Sequence, residues 1–171
     1  MLAGGGTVAA SPAGAIAAQA GSRLAAGKAV SFSGRYQGDT ALLINNGAVT
    51  ISSVTGKGKG TLVGASTISG KGSSSSSAQC DPFTGTGSIT GAAAKLNLKV
   101  VESNSSGCSS GESGPVTVTF TGLAIVTGGA GKAKGAGGSL KFNGTLKLGG
   151  TSGSQNGSYT VALSGKLTVK G

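Results

Sequence analysis

Acid–base catalysis needs positioned titratable groups, and this chain supplies few. Its carboxylates are Asp39, Asp81, Glu102 and Glu112, and it has no histidine. All four fall in loop or strand-end surroundings, off the apolar strand faces, and read as solvated turn carboxylates. For Asp81, between Cys80 and Pro82, a turn role is sufficient. Nucleophilic catalysis needs a nucleophile beside a base. The thiols are Cys80 and Cys108, in the polar stretches SSSSSAQCDPF and SNSSGCSSGES. Isolated thiols favour buried, apolar settings instead. Two cysteines in polar loops, with no other partner in the chain, read as a disulfide, and a disulfide implies an oxidising compartment. Two cysteines without histidine do not fill a zinc shell, so no metal is expected. No cofactor motif stands out either. The glycine-rich runs at 56–60 (GKGKG) and 128–138 (GGAGKAKGAGG) lack both Walker spacing and a βαβ setting. No catalytic residue is assigned, and the expected function is non-enzymatic.

Charge is the second chemical feature. Basic residues number 14 against 4 acidic, a net charge of +10. From Leu123 onward stand Lys132, Lys134, Lys141, Lys147, Lys166 and Lys170, with no acid among them. Where parity can be read, these lysines alternate with apolar residues and point to solvent. One reading is a soluble outer face with protected edges. The other is a surface for polyanions, such as an anionic glycan, a cell-surface polymer or anionic lipid. Nucleic acid is disfavoured: no aromatic residues interleave the lysines to stack on bases. The only arginines, Arg23 and Arg35, form no phosphate fork.

The elements that would position these groups follow from a period of two. Val118, Phe120, Gly122, Ala124 and Val126 share one parity. So do Leu140, Phe142, Gly144, Leu146 and Leu148, and Val161, Leu163, Gly165, Leu167 and Val169. Alternate side chains of a strand face opposite ways, so each set lines one face. A glycine in the middle of that face costs stability unless a bend or close packing needs it. Val30, Phe32, Gly34 and Tyr36 repeat the pattern, as do Leu62, Gly64, Ser66, Ile68 and Gly70. Asn45-Asn46-Gly47 marks a hairpin between Thr40–Ile44 and Ala48–Ser52. Ser73–Ser77 and Glu102–Gly114 read as polar loops, and Pro115 opens the next strand. The sum is all-β: an antiparallel eight- or nine-stranded barrel closed round its own core. Its interior is either filled by side chains or open to one small ligand, with Tyr36 as the evident polar handle.

Residues 28–171 form this single barrel domain. Residues 1–27 form an Ala/Gly-rich N-terminal arm, with a short helix from Ser11-Pro12 to Gly27. Ile16 and Leu24 lie on one face of it and are candidate docking residues, either over one end of their own barrel or onto a neighbouring chain in self-association. No stretch is apolar for the length of a membrane span. The first residues lack the basic and continuous apolar regions of a signal peptide, as in a secreted chain without its signal.

Val126–Leu146 (VTGGAGKAKGAGGSLKFNGTL) resembles a segment of small secreted bacterial β-barrels of the allene oxide cyclase/dirigent type. There a glycine-rich turn leads into a strand with a central glycine. Ala130 stands where that family often has threonine, and Ala133 where it often has an aromatic. The resemblance implies the barrel fold; none of the family's catalytic carboxylates or arginines aligns here. The leading expectation is a secreted or surface-exposed structural or binding module and assembly subunit. The alternative is a barrel that binds a small apolar ligand, or acts as an isomerase or cyclase.

The cysteine reading predicts that alkylation labels both thiols only after reduction, as read by intact mass. Closing that loop should stabilise by about 3–4 kcal/mol on the chain-entropy model. Two free thiols in the native protein would contradict it.

Overall fold

The computed structural model describes residues 27–111 and 114–170. The strands are β1 (Lys28–Asn45), β2 (Ala48–Gly60), β3 (Gly64–Ser75), β4 (Cys80–Gly91), β5 (Ala94–Val100), β6 (Ser106–Ser109), β7 (Val116–Gly131), β8 (Gly137–Leu148) and β9 (Gly153–Val169). They form one antiparallel sheet in the order β3-β2-β1-β9-β8-β7-β5-β4-β6, which the β3–β4 pairing closes. The barrel has eight staves, because β5 and β6 lie end to end between β4 and β7. The arm expected at its N-terminus, with Ile16 and Leu24, lies outside the described residues.

The alternation read from sequence sets inside and outside. Phe32, Leu140, Leu163 and Leu167 are buried, whereas Ser31, Lys141, Ser164 and Lys166 between them are exposed. A polar outer wall and an apolar interior reverse the pattern of a membrane-spanning barrel, whose lipid-facing band is apolar. No helix among the described residues is long and apolar enough to cross a membrane. The Asn46-Gly47 turn forms as expected: both residues have positive φ, 53° and 79°, and Asn45 pairs with Ala48.

Four of the inward glycines have a common geometry. Each sits directly across from a large side chain: Gly144 from Phe120, Gly122 from Phe142, Gly58 from Tyr36, and Gly165 from both Phe32 and Leu140. A β-carbon added at Gly144 would lie 2.7 Å from the Phe120 ring, and one at Gly58 2.7 Å from the Tyr36 ring. The missing β-carbon leaves room for the facing ring and for the neighbouring strand's carbonyl oxygen, Thr160 O at Gly144 and Arg35 O at Gly58, which lies nearer still. That close fit lets strands of small radius coil round a core.

Three sequence expectations change. Leu62 does not lie on a strand; it turns the chain between β2 and β3 with a φ of 74°, and Gly64, with a φ of 68°, opens β3. The serine run is not wholly a loop, because β3 continues through Ser75. Polar side chains suffice there, since backbone pairing to β2 and β4 carries the strand. The 102–114 stretch holds a 3-10 turn (Glu102–Asn104) and then β6, so the cysteines lie on paired strands rather than in loops.

The pairing of Gly144 with Phe120 gives a direct test. Gly144→Val should overpack this contact and lower stability by roughly 1–3 kcal/mol. A thermal melt unchanged from wild type would mean that the glycine does not face the core.

Candidate functional site

The barrel interior has two unlike halves. At the end bearing the Thr61–Val63 and Lys132–Ala136 turns, Phe32, Tyr36, Ile89, Leu96, Leu140 and Leu167 fill the space and are almost wholly buried. Tyr36 is fixed there by a relay. The Ser66 hydroxyl donates to the Gly64 carbonyl at 2.9 Å, so the Tyr36 phenol donates to Ser66 at 2.7 Å. Burial pushes the Tyr36 pKa up against that bond. The polar handle read from sequence is therefore consumed in the closed half.

The other half encloses a cavity of about 900 Å³, open at the end where β4 begins. Its floor is Leu98, Ala124, Phe142 and Leu163, which also belong to the filled core. Phe83 and Phe120 stand beside Phe142, with ring centroids 5.9–6.4 Å apart. Higher up, Leu42, Val116 and Leu148 form a second apolar cluster on one wall. The facing wall is bare. On β3 and β4, Gly70 pairs with Gly87 and Gly72 with Gly85. The nearest atoms to a β-carbon at any of the four belong to the opposing backbone. Glycine facing glycine sends no side chain inward, and the cavity lies against that wall.

Two polar residues mark this half, and sequence reading assigned neither to it. Tyr159 pairs with Gly38 across β9 and β1 and lines the cavity. It is 7% exposed, and its hydroxyl is the one buried side-chain polar atom without a hydrogen-bond partner among the described residues. Burial, helped by the negative charge of Asp39, pushes its pKa up to about 12. The phenol is thus a proton donor throughout the physiological range. Its parity with Val161 and Leu163 was the available signal.

Asp81 is the second. It is not a solvated turn carboxylate but a buried residue of β4 at the mouth. Its Oδ1 accepts from the Ser75 and Ser77 hydroxyls at 2.9 and 3.0 Å, and its Oδ2 from the Ala78 amide at 3.2 Å. Burial alone would raise its pKa, but the bonds from Ser75, Ala78 and Ser77 outweigh that and hold it below the ordinary aspartate range. Beside it, Cys80 pairs with Cys108 and is bonded to it, with Cα atoms 4.0 Å apart. The bridge holds short β6 in its half-stave. Ser105 joins the two pieces of that stave: its Oγ accepts from the Leu123 amide at 3.2 Å, in room left by Gly122.

The remaining sequence candidates scatter. Lys132, Lys134, Lys141, Lys147, Lys166 and Lys170 are all exposed, on the outer wall or at the closed end, and none enters the cavity. Among the described residues no cluster of histidine, cysteine or carboxylate side chains could hold a metal. Comparisons with protein-family models, with curated proteins and with solved structures find no match to this chain.

The Asp81 cradle predicts a pH dependence. Its folded pKa lies below the unfolded one, so its contribution is present above about pH 4 and lost as pH falls through the folded value. Asp81→Asn should cost about 1–3 kcal/mol at neutral pH and flatten the stability decline below about pH 4. An unchanged acid limb in the variant's thermal melts would show that the cradle contributes nothing.

Proposed function

We propose that this protein is a binding barrel for a small apolar ligand, held in the open half, and that it works outside the cell or at its surface. One observation carries the reading. A cavity of about 900 Å³ is floored by Phe142, Leu163 and Leu98, walled by aliphatic side chains, and opens through a serine-rich mouth. Ligand sites of this size are typically apolar, with few polar groups to orient the guest. Tyr159 contributes its ring to the wall, with its hydroxyl buried and turned toward Gly56, so apolar contact holds the guest. The mouth is preformed. Ser76 donates to the Gly47 carbonyl and Ser109 to the Gln79 carbonyl, both at 2.8 Å, which ties adjacent mouth loops together.

Binding without turnover suits the residues available. Asp81 is committed to its cradle and Tyr159 is held protonated, so neither stands poised to move a proton at neutral pH. The likeness of Val126–Leu146 to allene oxide cyclase/dirigent barrels supports the reading at the level of fold, because that segment forms the β7–β8 hairpin of an eight-stave barrel. The Cys80–Cys108 bridge is compatible with an extracellular site. The competing expectation of an assembly subunit rests on Ile16 and Leu24, outside the described residues.

The chain has no tryptophan, so a naphthylamine probe can be followed against a low background. The neutral probe N-phenyl-1-naphthylamine should bind saturably, one per chain. Val161→Trp, which fills the cavity from its wall, should weaken it by about tenfold or more, the equivalent of roughly 1.4 kcal/mol. Thr160→Trp, on the outer face, should leave it unchanged. Non-saturable binding, or equal loss in both variants, would overturn the proposal.

A further inference from the structure

The cations are not spread evenly along the barrel. Lys28, Lys95, Lys132, Lys134, Lys166 and Lys170 are exposed and belong to the filled half. They form a connected arc round its end. Lys28 pairs with Val169, next to Lys170. The Lys170 amide donates to the Lys134 carbonyl at 2.9 Å, and the Lys170 side chain passes over Gly135. The Lys132 amide donates to the Ala93 carbonyl at 2.9 Å, and Lys95 pairs with Ala130. The described acids all lie elsewhere: Asp39 beside cavity-lining Thr40, Asp81 at the mouth, and Glu102 just past cavity-lining Val100. Arg35, Lys57, Lys59 and Lys141 lie on the wall strands β1, β2 and β8. In the open half Lys71, Lys99 and Lys147 are offset by these three acids, and the described residues of the mouth loops include no lysine or arginine. Among the described residues the acids thus lie toward the mouth, and the opposite end carries lysines with no acid beside them.

We propose that this closed end is a docking surface for an anionic polysaccharide of a cell surface, which holds the barrel with its mouth free. The partner's chemistry follows from the side chains. Lysines are compact charges on flexible stems, suited to repeating, loosely placed anions rather than to bidentate forks. A lipid surface would gain from apolar side chains inserted beside the charges. Among the described residues the exposed large hydrophobics are Leu43 and Ile125, both on strands of the wall and neither on the end loops. No aromatic residue lies among the six lysines to stack on a base. At physiological ionic strength fields fade over about 8 Å, so contact is confined to the face that carries the charge.

The test uses the full chain on immobilised dextran sulfate, with vesicles of phosphatidylserine and phosphatidylcholine in parallel. Two triple variants of equal net charge are compared, K132Q/K134Q/K170Q at the closed end and K71Q/K99Q/K147Q on the open half. The first should bind dextran sulfate about tenfold more weakly at about 0.15 M salt, the second less than about twofold, with wild-type affinity falling steeply as salt rises. Equal losses in the two variants would show net charge at work rather than a face. That result, absence of wild-type binding, or tighter binding to the vesicles than to the polymer would overturn the proposal.

Discussion

The structure depends on one steric constraint: in a barrel this tightly coiled, the inward rings of Phe32, Tyr36, Phe120, Phe142 and Tyr159 each lie across from a glycine of a neighbouring strand. Phe120 lies over Gly144 and Phe142 over Gly122 on the same pair of strands, in alternate rows. Gly165 accommodates Phe32 from one side and Leu140 from the other. Each contact gains dispersion and buried apolar area at a point where a β-carbon would collide. The glycines therefore do packing work that their composition alone, 35 of 171 residues, would suggest they avoid.

The same rule explains the empty half. Between β3 and β4 glycine meets glycine at two successive inward rows, so no ring is supplied to occupy the space. Tyr159 adds to the asymmetry. It extends its hydroxyl toward Gly56, where an added β-carbon would sit 2.5 Å from the oxygen, and leaves the middle of the cavity clear. An open end needs support that a filled core does not provide. Asp81 fixes the serine turn, and the Cys80–Cys108 bridge fixes β6. Stability and vacancy are thus assigned to opposite ends of one sheet, and the lysines follow the stable end.

Much of this was legible in the residues. The period-two sets gave the faces, and the Asn46-Gly47 turn gave a register. What one strand's pattern cannot show is which residue of the next strand faces it. Whether Gly70 meets a ring or Gly87 depends on that pairing, so a filled and a half-open interior were equally compatible with the sequence. β6 escaped notice because Ser106, Gly107, Cys108 and Ser109 carry no apolar alternation; the disulfide and two neighbouring strands make it a strand. Asp81 looked like a turn residue because its partners, Ser75 and Ser77, sit in a run that reads as low complexity. Tyr159 shares parity with Val161 and Leu163, yet its lack of a partner is a property of the folded interior alone.

The central claim is that one half of this interior is filled and the other is vacant and apolar. Xenon enters vacant apolar space and is seen directly. In crystals pressurised with xenon, we expect density beside Leu42, Phe120 and Val161, and none among Phe32, Leu96 and Leu140. Xenon within the closed half, or none in the open half, would contradict the account.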